Sequence, residues 1–155
     1  MVAVLSADQS LHQQVRKFAE ARWQLDACTL RGIIKHRKKR LLEYEIHYRD
    51  IEDESPATIA VIGKLYGSDR GGRAHSVMEW LWGQGFSPPS TALVPLPLGY
   101  DAEAGLLLQS KAPGRDASYA LHGDESAAAA SGELTGAWLA QLHAQPLPPL
   151  SLPSP

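Results

Sequence analysis

The chain has 155 residues, 44% of them apolar, and its 15 basic and 17 acidic residues give a formal net charge of −2. This length and composition predict one compact domain with a core, and the balanced charge argues against a general nucleic-acid binder or a membrane-surface protein. The single cysteine, Cys28, excludes an internal disulfide and favours a reducing cytosol. No apolar stretch has the length of a membrane span, and no secretory signal is visible, so the expected location is cytoplasmic.

The first half of the chain predicts one helix and three strands. Residues 8–25 repeat apolar side chains at helical spacing. Residues 27–36 and 40–49 predict two strands. The second alternates as a half-buried antiparallel strand does, with one apolar face and one polar face: Leu42, Tyr44, Ile46 and Tyr48 on the first, and Glu43, Glu45, His47 and Arg49 on the second. Residues 58–66 are β-branched and almost wholly apolar, which predicts a third strand covered on both faces. The glycine-rich residues 67–72 are predicted to form a flexible loop.

The second half predicts two helices and two more strands. Residues 73–84 repeat apolar side chains at helical spacing, and residues 97–101 and 105–111 are short strand candidates. Residues 125–144 are alanine-rich and predict another helix. Residues 145–155 contain five prolines and predict an extended tail. The order of three strands, a helix and two strands predicts an α+β fold, in which a five-stranded antiparallel sheet carries one packed helix.

Two charged residues lie at positions that suggest a site. Lys64, near the end of the third strand, needs an anionic partner if that strand is buried. Glu79 lies in the helix that follows. Taken alone, a lysine near a strand end is commonly a surface residue with a buried stem, and a helical glutamate is commonly solvated.

Their order along the chain resembles the small lobe of protein-kinase-like phosphotransferases, most closely the aminoglycoside phosphotransferase type. Lys64 stands where such proteins carry the lysine that holds the nucleotide phosphates, and Glu79 stands where they carry its ion-pair partner. Residues 94–100 resemble the family's lead into the fourth strand. Residues 106–114 resemble its fifth strand and hinge, and residues 139–143 resemble the end of the first helix of the large lobe.

The resemblance covers about residues 30–143 and implies a division of the chain. Residues 1–26 form an N-terminal helix, 27–111 the nucleotide-binding small lobe, 112–144 the hinge and the start of the large lobe, and 145–155 the tail. The resemblance implies ATP as the nucleotide and transfer of its γ-phosphoryl group to a hydroxyl of a small molecule that the sequence does not identify. Ile62 would press on the adenine, and the backbone of residues 109–111 would pair with its edge.

The turn between the first two strands departs from the family pattern. Kinases carry a glycine-rich loop over the phosphates, whereas residues 35–40 are all basic or histidine. Side chains such as those of Arg37 and Lys38 would replace backbone amides as phosphate contacts, or the turn is simply solvated. Nucleic-acid contact through residues 36–40 is a third reading, which the lack of interleaved aromatic side chains disfavours.

The candidate nucleotide-contacting residues are therefore Arg37, Lys38, Ile62, Lys64, Glu79, Gln109, Ser110 and Lys111.

The family's catalytic loop and metal-binding aspartate have no counterpart in this sequence. His122-Gly123-Asp124 imitates the loop but lies before the helix that the family's catalytic loop follows, and Asp124 is better explained as a helix N-cap. We therefore expect no catalytic residue and no metal ligand in this chain, with Mg²⁺ bound only together with a complete large lobe. The expectation is a truncated phosphotransferase that is inactive alone. The alternative is a kinase-fold scaffold module without chemistry.

Overall fold

A computed structural model of the chain describes residues 7–36, 39–51, 54–67, 70–114 and 122–146. Its eight helices and strands occur in the predicted order. They are α1 Ala7–Glu20, β1 Gln24–His36, β2 Lys39–Arg49, β3 Pro56–Leu65, α2 Arg70–Gly83, β4 Pro97–Asp101, β5 Leu106–Ser110 and α3 Glu125–His143. The strands form one antiparallel sheet in the order β1-β2-β3-β5-β4. The α+β class and the five-stranded antiparallel sheet are thereby confirmed.

One face of the sheet packs against α1 and forms the main core. Apolar residues alternate along the strands, so every second residue meets the helix. The buried members of this core are Val15, Ala19, Leu42, Tyr44, Ile46, Val61, Leu106 and Leu108. Gly99 of β4 belongs to the same face, where a Cβ would overlap the ring of Phe18. We call this surface the α1 face.

Helix α2 lies against the opposite face, which we call the α2 face. Tyr100 follows Gly99 along β4 and therefore points the other way. Its ring meets Gly71 and Gly72 in the first turn of α2, and the helix contacts β4 and β5. A Cβ at Gly71 would overlap the Tyr100 ring, so the close approach of helix and strand depends on glycine at this position.

A second core joins α2 to α3 through the segment between α2 and β4. Leu81, Phe86 and Ala92 are buried there, and Trp138 and Leu142 of α3 pack against them. The Trp138 ring meets Phe86 edge-on at 5.9 Å, and its indole N–H donates to the Leu93 carbonyl at 3.2 Å. Helix α3 has no buried residue of its own, so these contacts hold it.

The structure corrects two helix boundaries. Helix α1 ends at Glu20 instead of residue 25, because Trp23 stacks on Tyr48 of β2 at 4.4 Å and the chain has by then turned into β1. Helix α2 begins at Arg70, so residues 70–72 are helical and not part of a flexible loop. Packing against Tyr100 outweighs the low helix propensity of the two glycines.

The expectation that β3 is covered on both faces is wrong. Val61 and Gly63 are buried on the α1 face, whereas Ile62 and Lys64 are only half-buried on the α2 face. The reason is that α1 packs on the core residues of β2, β3 and β5 on one face, while α2 lies against β4 and β5 on the other. The middle of the α2 face is therefore accessible, and this is where the candidate residues of β3 lie.

Candidate functional site

The register of the sheet brings three of the candidate residues together on the α2 face. Ile62 of β3 pairs with Gln109 of β5 on one side and with Glu43 of β2 on the other. The next row toward the end of β3 contains Lys64, between Leu41 and Leu107. Directly paired residues of an antiparallel sheet have Cβ atoms about 5 Å apart and share a face. Ile62, Lys64 and Gln109 thus form one surface.

Glu79 has a different neighbour from the ion-pair partner that the resemblance implies, and the contact is an ion pair only when that neighbour, His75, is protonated. Its carboxylate lies 3.3 Å from Nδ1 of His75, one turn earlier in α2, and its side chain is 60% exposed. Among the ion pairs of the described residues, none joins Glu79 to Lys64. The structure thus places both residues on the side of the sheet where α2 lies, with His75 as the partner of Glu79.

The backbone after β5 is largely occupied by sheet hydrogen bonds. The Ser110 N–H donates to the Leu96 carbonyl at 2.9 Å, and the Lys111 N–H donates to the Ala60 carbonyl at 2.7 Å. The Ser110 hydroxyl in turn accepts from the Leu96 N–H at 2.8 Å. Within the described part of the chain, the Ala112 N–H makes no hydrogen bond. A base edge approaching this segment would therefore find its donor at Ala112 and not at residues 110 and 111.

The side chain of Lys111 also has a protein partner. Its Nζ lies 2.5 Å from Oε1 of Glu43. Because Glu43 lies on β2 and Lys111 follows β5, this ion pair crosses β3 next to Ile62. It borders the surface that Ile62 and Gln109 share.

Arg37 and Lys38 lie outside the described residues. The flanking residues His36 and Lys39 are paired, so β1 and β2 are antiparallel neighbours up to these positions. The predicted role of the turn in phosphate binding stays a prediction.

A polar network on the α2 face was not anticipated from the sequence. Arg31 hydrogen-bonds Glu45, the Glu45 carboxylate lies 2.8 Å from Nε2 of His47, and Nδ1 of His47 lies 3.0 Å from the Thr58 hydroxyl. The hydrogen bond from Arg31, followed by that from His47, lowers the pKa of Glu45. The same carboxylate raises the pKa of Arg31.

The alternation along β2 did predict that Glu45 and His47 share one face, which accounts for two of the four residues of this network. Arg31, however, lies where the pairing of β1 with β2 shifts between Leu30 and Gly32. Such an irregularity redirects a side chain, and strict alternation does not reveal it. The side-chain contacts of this network connect β1, β2 and β3 beside the candidate surface.

Two cavities lie outside the Ile62–Gln109 surface. One, of about 550 Å³, is bordered by Tyr66, the first turn of α2 and the β4–β5 turn. The other, of about 780 Å³, lies between residues 88–96, the chain after β5 and α3. Of the candidate residues that the structure describes, only Ser110 lines either of these two cavities.

Asp124 acts as the N-cap of α3, as predicted. Its side chain accepts a hydrogen bond from the Ala127 N–H at 2.8 Å, and its backbone is extended. Across the described ranges, no group of three or more His, Cys, Asp and Glu side chains is arranged to hold a metal ion. In the same ranges, no helix has both the length and the apolar character needed to cross a bilayer.

Comparison with known proteins leaves the site to be interpreted from its own geometry. No protein-family model matches the chain, and searches of curated proteins and of solved structures find no significant match.

Proposed function

We propose that this chain binds ATP on the α2 face and is the nucleotide-binding part of a kinase-like phosphotransferase that acts on a small molecule. The observation that carries the proposal is the common surface of Ile62, Lys64 and Gln109 on adjacent strands. It offers one cation and one apolar side chain next to the segment that follows β5. Phosphoryl transfer depends chiefly on positioning and charge neutralisation, and a strand-borne lysine is a recurring part of it in kinases.

Three of the candidate residues and the backbone at Ala112 have roles in this proposal. Lys64 holds the phosphates, because a cation on a rigid strand is attractive to a polyanion. Ile62 supports the adenine ring. The backbone at Ala112 donates to the base edge, since the N–H groups of Ser110 and Lys111 are already engaged. Glu79 holds Lys64 only if it exchanges its present partner, His75, on nucleotide binding.

The catalytic step itself is not assigned to residues of this chain. Transfer of the γ-phosphoryl group needs a base or water-positioning residue and Mg²⁺. The described residues contain no cluster of side chains suited to Mg²⁺. What is proposed for the chain is therefore nucleotide binding.

Thermal-shift and calorimetric titration with a non-hydrolysable ATP analogue tests the proposal. The wild type should be stabilised by millimolar nucleotide, because a ligand that binds only the folded state raises its stability. Lys64→Met should abolish the shift. Lys17→Met, which removes an exposed lysine from α1 on the other face, should leave it unchanged. A wild type that no concentration of nucleotide stabilises refutes the proposal and favours the scaffold interpretation.

A further inference from the structure

Gln109 is a buried polar residue with unmet hydrogen-bonding capacity. It is 7% exposed and is the only buried polar residue in the described part of the chain. None of the hydrogen bonds that the described side chains make involves its amide group. A glutamine amide offers two N–H donors and a carbonyl acceptor. Burying it without partners costs free energy, so a group of this kind needs an explanation.

Its position associates the amide with the candidate nucleotide surface. Gln109 pairs with Ile62, so both side chains belong to the α2 face, one row from Lys64. It also directly precedes Ser110, where β5 ends and the segment with the Ala112 donor begins. A flat ring resting on Ile62 with one edge toward Ala112 would meet the Gln109 amide along another edge.

We propose that the Gln109 side-chain amide reads the base of the nucleotide and selects adenine over guanine; this inference rests on the proposed nucleotide binding. Adenine presents the N6 donor beside the N7 acceptor, which match the carbonyl and the NH₂ of a glutamine. Guanine presents two acceptors, O6 and N7, at the same places. The amide carbonyl would then face an acceptor, and one hydrogen bond would be replaced by a repulsion.

The wild-type protein is titrated with ATP, GTP and 7-deaza-ATP by calorimetry. GTP should bind about five- to 150-fold more weakly than ATP, the range that a bidentate amide–adenine pair provides. The analogue 7-deaza-ATP lacks only the N7 acceptor and should bind about two- to tenfold more weakly, as expected for one lost hydrogen bond. These comparisons need no variant.

The variant Gln109→Met supplies the second readout. It keeps the length of the side chain and removes the polar atoms, so the ratios of ATP to GTP and of ATP to 7-deaza-ATP should both fall toward one. Without nucleotide, the variant should melt at or above the wild-type temperature, because an amide without partners is removed. Gln109→Leu repeats the test if the methionine variant does not fold. Gln84→Met, an exposed change at the end of α2, should alter none of these quantities.

The outcomes separate this inference from the proposed function. If the wild type binds none of the three nucleotides, nucleotide binding is refuted and the inference with it. If it binds ATP and GTP equally well, or if the variant keeps the wild-type ratios, nucleotide binding stands and the role of Gln109 is refuted. A variant that is clearly less stable without ligand also overturns the inference, since the amide then has a structural partner.

Discussion

Glu43 and Lys111, 68 residues apart in the sequence, join their side chains across β3, with Lys111 Nζ 2.5 Å from Glu43 Oε1. The pair links β2 to the chain that follows β5, and it borders the surface that Ile62 and Gln109 share. The carboxylate side is the more sheltered: the Glu43 side chain is 24% exposed and the Lys111 side chain 51%. The contact therefore fixes the segment that is proposed to meet the base.

The coupling between Glu43 and Lys111 should be measurable but small. A double-mutant cycle with Glu43→Gln and Lys111→Met should give a coupling free energy of up to about 1 kcal/mol, as is usual for partly exposed pairs. Urea unfolding of the four proteins measures it. The matched control is the pair Arg16–Glu20 in α1, whose side chains are 50% and 52% exposed. A coupling at Glu43–Lys111 no larger than in this control would contradict the prediction.

Close packing between α2 and β4 makes Gly71 sensitive to the smallest substitution. Gly71→Ala places a methyl group against the Tyr100 ring, and overpacking of this kind typically destabilises by about 1–3 kcal/mol. Gly83→Ala in the same helix meets no atom within 4 Å, so it should be neutral or stabilising through helix propensity. Chemical denaturation compares the two. In a Tyr100→Ala background, the penalty at Gly71 should largely disappear; an undiminished penalty would place its cause elsewhere.

Apolar periodicity, together with β-branched and alanine-rich composition, was sufficient to predict the type and order of every described element. The alternation along β2 correctly assigned Leu42, Tyr44 and Ile46 to the core. The start of α2 was missed because glycine signals a loop locally, while its packing partner, Tyr100, comes 29 positions after Gly71 in the sequence. A contact of that range is not visible in a local pattern.

The candidate site was predictable only as far as strand pairing follows from strand order. Once β3 lies between β2 and β5, alternation puts Ile62, Lys64 and Gln109 on one face. The contact of Glu79 with His75 was not anticipated, although the two residues are spaced four apart on a helix. The partners of Lys111 and Arg31 depend on long-range register, which single-sequence patterns do not determine.

Stability should fall at acidic pH in a way that depends on Glu45. Its pKa is lowered in the folded state by the hydrogen bond from Arg31 and then by His47. A carboxylate with a lowered pKa stabilises the fold at neutral pH, and this contribution is lost as pH falls from the ordinary glutamate range through the lower folded-state pKa. Glu45→Gln should therefore be less stable than wild type at neutral pH and converge with it in acid.

Denaturation curves at a series of pH values measure this convergence. Arg31→Met is the companion variant. It keeps the Glu45 carboxylate but removes the largest cause of its lowered pKa, so its stability should differ from wild type in pH dependence nearly as much as that of Glu45→Gln does. A gap between Glu45→Gln and wild type that stays constant from neutral to acidic pH would show that the carboxylate titrates alike in the folded and unfolded protein. The pKa prediction would then be wrong.

Helix α3 should depend on Asp124 as a cap and not as an acid or base. The Asp124 carboxylate accepts from the Ala127 N–H at 2.8 Å, and the helix has no buried residue to compensate if that bond is lost. Asp124→Ala should cost about 0.5–2 kcal/mol of local stability. Amide hydrogen exchange over residues 127–130 measures it, and protection there should fall, while protection in β3 and β5 should not.

Asp124→Asn separates the cap from the imitation of a catalytic loop at residues 122–124. Asparagine caps helices about as well as aspartate, so exchange protection at the start of α3 should stay close to wild type. Nucleotide binding should also be unaffected, because Asp124 lies outside the Ile62–Lys64–Gln109 surface. Loss of protection in the asparagine variant would show that the negative charge, through its interaction with the helix dipole, matters more than the hydrogen bond.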